Sequence, residues 1–254
     1  MSPNTLRKPR KLSPGDRLAA VSVSMGAAGA FPHRYDAGRR QLEDEFGVEL
    51  IATPHALKDP DWVAAHPEAR AEDLMSAFCD ASIQGIVSTL GGDDSIRLIP
   101  HLDVDIIHAH PKVFLGYSDT TVTHWACLKA GLVSFYGPAV MAGFAENGGM
   151  FPYMVESVRR TLFSAEPIGV IEPNISGWTV EFLDWSVPAN QQRKRALSPS
   201  EPWRFLQGEG IAEGRLVGGC VELVEFLRGT ALWPDDARSG PTTFSRRLFS
   251  IASM

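Results

Sequence analysis

The chain has 254 residues, 44% of them hydrophobic and 21% charged, with 23 Gly and 18 Pro, a composition that excludes a disordered or fibrous protein and describes an ordinary globular one. Lys and Arg total 24 against 30 Asp and Glu, a formal charge of −6, so there is no overall attraction to phosphate backbones or anionic lipid and nucleic acid is not an expected partner. Cys79, Cys127 and Cys220 contain no CxxC pair, which excludes a disulfide framework and a zinc knuckle and favours a reducing compartment.

The amino-terminal segment MSPNTLRKPRKLSPGD is basic but carries no apolar stretch before Pro14 and Gly15, and no run approaches the length of a membrane span, so the expected location is the cytoplasm, away from any membrane. RLAAVSVS at 17–24 predicts a first strand that runs into the small-residue loop MGAAGAF. A helix is expected over 33–46, closed by Gly47, followed by a strand in VELIAT at 48–53. HPEARAEDLMSAFCD at 66–80 predicts a helix with Pro67 near its start and Leu74, Met75 and Phe78 at 3–4 spacing. IQGIVSTL at 83–90 reads as an apolar strand stopped by Gly91–Gly92. Short helices follow, at 94–98 ended by Pro100 and within LDVDIIHAH, then a buried strand in VFLGYS, a helix over 119–130 closed by Gly131, and a strand in LVSFYGP. Apolar strands alternating with helices indicate a mostly parallel, doubly wound α/β sheet covered on both faces. The pattern changes near residue 165. Residues 1–165 are therefore expected to form an α/β domain. Residues 166–254, rich in Pro, Gly and Trp at first and then predicting a strand, a Gly–Gly turn and a short helix from Gly210 onward, are expected to begin a second one.

Gly116-Tyr117-Ser118-Asp119 lies where a buried strand meets a helix. A serine on such a turn is pushed out of the sheet, and first-turn amides can receive an oxyanion formed beside it. The GxSxG spelling is incomplete because Thr120 fills its last position, and by pattern alone a turn or N-cap serine is the commoner meaning. Gly91-Gly92-Asp93-Asp94 also follows a strand, at the same carboxyl edge where sites form in parallel sheets. Sharing one cleft, the Gly92 and Asp119 amides would form an oxyanion hole around Ser118. SMGAAGAF fits neither phosphate-loop pattern. Asp93, Asp94, Asp103 and Asp105 read as solvated acids rather than a metal cluster, and no metal is expected. His124, six residues after Ser118 on one helix, should point away from it. Trp178 and Trp185 bracket WTVEFLDW, where packing and ligand stacking both remain open.

Taken together, HPEARAEDLMSAFCD, IQGIVSTLGGDDSIRLIPHLD, VFLGYSDTTVTHWACLKAGLVSFYGP and LVGGCVELVEFLRGT resemble the serine peptidases of the LD-carboxypeptidase family, in particular the branch of the microcin C immunity proteins. The resemblance implies a flavodoxin-like first domain, a smaller β-rich second domain, a homodimer and no cofactor or metal. It implies Ser118 as nucleophile, Gly92 and Asp119 as oxyanion donors, and Trp178 and Trp185 as substrate-stacking residues. The implied substrate is a small peptide with an amide next to a free carboxylate, as in muropeptides, or an aminoacyl-nucleotide-like conjugate. The family's catalytic glutamate and histidine follow a turn that here reads Gly229-Thr230-Ala231-Leu232-Trp233-Pro234, yet beyond Ala237 the sequence RSGPTTFSRRLFSIASM holds no Asp, Glu or His. Glu222 and Glu225 belong to the preceding helix and do not fill the role. A truncated or frame-shifted second domain is the expectation, with a serine hydrolase that is weak or inactive as this chain. A nonenzymatic binding module for peptidoglycan fragments or nucleotide conjugates is the alternative.

Overall fold

The computed structural model describes residues 6–204, 206–208, 210–211 and 213–233. Five parallel strands, β1 (Arg17–Val21), β2 (Glu49–Ala52), β3 (Gly85–Ser88), β4 (Val113–Gly116) and β5 (Phe135–Tyr136), lie in the order β2-β1-β3-β4-β5, which is the flavodoxin-like order. Consecutive strand residues are apolar because both faces are covered. Ala19, Val21, Ile86 and Phe114 face one core with Leu74, Phe78, Ile107, Val122 and Trp125. Leu18, Ala20, Val87, Val113 and Leu115 face the other with Leu42, Phe46, Val158 and Leu162. Each such Leu, Val, Ile or Phe contributes roughly 1.5–3 kcal/mol by leaving water.

The helices are α1 (Ala27–Ala30), α2 (Pro32–Phe46), α3 (Pro60–Ala65), α4 (Pro67–Cys79), α5 (Val104–Ala109), α6 (Thr121–Lys129), α7 (Pro152–Leu162) and α8 (Val221–Phe226). Proline opens α2, α3, α4 and α7 at the position where a missing N–H is harmless. Gly47 closes α2 at φ 67°, a left-handed cap suited to glycine. Asp103 caps α5, its side chain accepting from the amides of Asp105 and Ile106. Four expectations change in this stretch. The small-residue segment after β1, expected as a loop, holds the short helix α1. Pro100 does not end a helix at residue 98 but sits inside a 3-10 turn, Ser95–His101. The helix expected over 119–130 opens as a 3-10 turn, Ser118–Thr120, before α6. The strand expected in LVSFYGP is only the two residues of β5.

Beyond residue 165, the β-rich character implied by the resemblance is represented among the described residues by one antiparallel bridge, Trp178 with Ser198. No strand is found among the described residues of 210–217, where one was expected; Gly218 and Gly219 lead directly into α8. The segment after Ala237, on which the truncation expectation rests, lies outside the described residues. No helix among the described residues is long and apolar enough to cross a membrane.

Candidate active site

Ser118 stands at φ 61°, the only non-glycine residue with positive φ among the described ones. That left-handed conformation costs of order 1–3 kcal/mol and persists only where neighbours enforce it. Its enforcers are visible. The Ser118 amide donates to the Tyr136 hydroxyl at 2.8 Å, the Thr121 hydroxyl donates to the Ser118 carbonyl at 2.7 Å, and the Thr120 hydroxyl donates to the Tyr117 carbonyl at 2.9 Å. Gly116 lets the strand end pass Ser88, since a Cβ there would stand 2.5 Å from the Ser88 hydroxyl. The serine thus sits on a sharp turn between β4 and α6, at the carboxyl edge of the sheet, in the manner of a nucleophile elbow.

The Gly91–Gly92 loop after β3 crosses directly beside it. A Cβ on Gly91 would stand 2.9 Å from the Ser118 Cβ, 3.2 Å from its Oγ and 3.4 Å from the Asp119 amide nitrogen. Gly92, at φ 154°, packs against Ser24, whose Oγ would lie 2.3 Å from a Cβ there. The two loops singled out in the sequence therefore meet, and glycine is what lets them approach. Gly91 is a contact the sequence reading did not assign, although the Gly–Gly pair was its signal.

His124 takes no part. Its Nε2 lies 2.9 Å from the Gly116 carbonyl, which fixes it as a donor, and Nδ1 then accepts from the Ser134 hydroxyl at 2.8 Å. Burial holds its pKa down at about 4, a neutral structural imidazole directed into the core as the helical offset predicted. Burial also raises the pKa of Tyr136, while its hydrogen bond with the Ser118 amide partly opposes that shift. Cys220 approaches from the carboxy-terminal side, its amide donating to the Thr121 hydroxyl at 2.9 Å.

The two tryptophans have different surroundings. Trp185 is half-buried, with the Arg34 guanidinium 4.1 Å over its ring and Phe31 edge-on at 5.9 Å. Trp178 is 51% exposed and its indole N–H donates to the Pro199 carbonyl at 3.0 Å. Arg34 is itself fixed by the Met141 carbonyl at 2.8 Å, the Asn147 side chain at 3.0 Å and the Gln191 side chain at 3.1 Å. Burial lowers its pKa to about 10, against the opposing charge of Glu146. Burial raises the pKa of the Tyr117 hydroxyl, and the charges of Arg195 and Arg34 partly offset that rise. None of the contacts of Arg34 was visible in the sequence, because the partners lie 107, 113 and 157 residues from it. Of the four acids considered, Asp94 is paired with Arg70 at 2.7 Å. No group of three or more His, Cys, Asp or Glu side chains among the described residues is arranged to hold a metal ion.

The putative carboxypeptidase YocD of Bacillus subtilis is 32% identical over 254 residues, covering 95% of this chain and 74% of that protein. The chain belongs to the LD-carboxypeptidase family. The model of the LD-carboxypeptidase N-terminal domain matches residues 18–137, which span β1 through β5 and contain Ser118 and both glycines of the crossing loop. The microcin C7 self-immunity protein MccF of Escherichia coli is 29% identical over 258 residues, covering 96% of this chain and 72% of that protein. An MccF-like protein from Streptococcus pneumoniae, solved in complex with AMP, superimposes with a TM-score of 0.76 at 33% identity over 89% of this chain and 64% of that one. The chain therefore spans about two thirds of the length of that solved relative.

Proposed function

We propose that this chain carries the nucleophile half of a serine amidohydrolase of LD-carboxypeptidase type. Ser118 is the nucleophile, and the Gly92 and Asp119 amides receive the oxyanion. The observation that carries the reading is the strained Ser118 turn pressed against the Gly91–Gly92 loop. Attack of Oγ, its proton passing to a base or to solvent, forms a C–O bond as the carbonyl π bond breaks and places negative charge on the carbonyl oxygen, where fixed amides lower the barrier. Collapse of this intermediate breaks the scissile C–N bond, the leaving nitrogen takes up a proton, and water then cleaves the acyl-serine ester. The Ser118 amide already donates to Tyr136, so that oxygen has to be met by neighbouring amides instead.

The substrate class is an aminoacyl-nucleotide-like conjugate or a muropeptide amide next to a free carboxylate. The AMP complex of the Streptococcus pneumoniae relative and a complex of MccF with glutamyl sulfamoyl guanosine support the first, with the exposed Trp178 offering a ring face for the base and Trp185, one face of which Arg34 covers, lining the same side. The family resemblance also makes a cytoplasmic homodimer the expected form. A serine needs a base, and His124 does not supply it, because both its ring nitrogens are committed elsewhere.

The test is incubation of the purified protein with glutamyl sulfamoyl guanosine. Slow release of glutamate that Ser118→Ala abolishes supports the hydrolase reading. Saturable nucleotide binding without turnover, lost in Trp178→Ala and Trp185→Ala, supports instead the second reading of a nonenzymatic binding module. The exposed indole of Trp178 is the observation that favours this second reading.

A further inference from the structure

Asp119 brings more than its amide to the serine loop. Its side chain is fully buried, and a single oxygen, Oδ2, accepts three hydrogen bonds: from the Ser24 hydroxyl at 2.5 Å, the Asp94 amide at 3.0 Å and the Ser95 amide at 2.7 Å. The Asp119 carbonyl accepts a fourth, from the Ser95 hydroxyl at 2.6 Å. Ser24 follows β1, residues 91–95 follow β3 and Asp119 follows β4, so one carboxylate ties together three loops at the same sheet edge. Behind it Arg70, whose side chain is 1% exposed, donates to the Val23 and Ser24 carbonyls at 3.3 and 3.1 Å and pairs with Asp94 at 2.7 Å. The Met25 amide closes the set by donating to the Gly91 carbonyl at 3.3 Å.

We propose that the Asp119 carboxylate, with Ser24 and Arg70, is a positioning device that fixes the Gly91–Gly92 loop against Ser118; its catalytic consequence rests on the hydrolase reading above. Two successive glycines have wide conformational freedom and no side chain to hold them, so the loop's geometry has to be imposed from outside. A buried carboxyl oxygen does this well, because donors from two other loops converge on it and any shift of the 91–95 segment breaks several of these bonds at once. Arg70 supplies the compensating charge: burial depresses its pKa while Asp94 and Asp119 both counter that fall. A donor that is already oriented before an oxyanion forms is worth on the order of 10²–10³ in rate when the site is complete.

The deciding experiment is amide hydrogen exchange of the 91–95 segment in the wild type, Asp119→Asn and Ser24→Ala, with thermal melting alongside. Asparagine offers Oδ2's three donors only a neutral oxygen, and Ser24→Ala removes one donor without touching the carboxylate. The expected result is exchange in 91–95 at least about tenfold faster in both variants, with protection of β1 and β4 unchanged. Equal protection in all three proteins overturns the proposal, as does a loss spread evenly through the sheet with a lowered melting point. Should Asp119→Asn fail to fold, Ser24→Ala carries the same decision. On glutamyl sulfamoyl guanosine the Asp119→Asn variant is expected to lose about 10²-fold in kcat at unchanged KM. A wild type that neither turns over nor depends on Ser118 defeats the hydrolase reading, whereas the exchange data still decide the loop's positioning.

Discussion

Residues 6–165 and residues 166–233 are held together by different physics. In the first stretch every sheet strand has strand neighbours, both faces are sealed by helices, and even the loops at the carboxyl edge are bonded to one another. Among its described residues the second holds one antiparallel bridge, a 3-10 turn and α8, and it exposes Val170, Ile175, Val180, Phe182 and Ile211. Among the described residues, the Tyr153 hydroxyl and Arg160 hold the carbonyls of residues 168–172, Trp185 packs on Phe31 and Arg34, and two further sets fasten the rest. Residues 190–195 are bound by a polar set in which Arg195 grips Glu146 through two bonds, 2.8 and 2.6 Å, and Gln191 meets Arg34 and the Ala145 carbonyl. Further on, Leu223, Leu227 and Leu232 enter the core beneath α6, and Trp233 stacks on Trp125 at 5.0 Å. The difference teaches that the serine's geometry is internal to the sheet, whereas whatever surrounds a substrate on the Trp185 side depends on a few long-range contacts.

The strongest way to break the comparison is Glu146→Ala. Glu146 is 5% exposed and Arg195 25%, so removing the acid leaves a largely buried guanidinium uncompensated, at a cost of about 3–4 kcal/mol. Chemical denaturation should read that loss, and limited proteolysis should cut within 166–200 first while 6–165 stays intact. Cleavage that instead begins within the sheet region would mean the two stretches unfold as one unit. A second effect lies inside the sheet region alone. The folded state holds His124 neutral, with its pKa lowered from 6.5 to about 4, so its contribution is fully present above pH 6.5 and is lost as the pH falls toward 4. The full difference is about 3 kcal/mol. His124→Gln should flatten the stability profile between pH 4 and 6.5, and an unchanged slope would remove His124 from the account. The smallest effect concerns Ser118 itself. Glycine adopts φ 61° freely, so Ser118→Gly should be more stable than Ser118→Ala by about 1 kcal/mol in urea unfolding. Equal stabilities would mean the turn carries no strain.

Much of the sheet region was legible because its signals are local. The apolar runs at 17–21, 85–88 and 113–116 became β1, β3 and β4, and Gly47 and Gly131 both take the positive φ of helix ends. Three helices were missed: α1, hidden in a small-residue segment with no apolar period, and α3 and α7, whose signals were present. Asp59-Pro60 caps and opens α3, with the Asp59 side chain accepting from the Trp62 amide, and Val155, Val158 and Leu162 give α7 its apolar face behind Pro152. The site was half-legible. Ser118, Asp119, Gly91 and Gly92 sit in short sequence motifs at strand ends, which the parallel topology brings to one edge. Ser24, Arg70, Tyr136 and the Arg34 cluster have no such motif, since their partners are separated by up to 157 residues and only the folded chain brings them together. Trp178 and Trp185 looked alike in the sequence. Only the fold separates an indole clamped under a guanidinium from one open to solvent.

The hydrogen bond from the Ser118 amide to Tyr136 has a consequence for transplantation. In many designs the bent serine and its neighbouring amide would be moved together as one short cassette. Here residues 116–121 taken alone into another parallel sheet would lose the tyrosine from β5 that occupies the amide and the glycine crossing from the loop after β3. The smallest portable unit therefore has three pieces, drawn from successive crossovers of the sheet, and a host scaffold would have to reproduce the β3-β4-β5 neighbourhood before the serine could be borrowed.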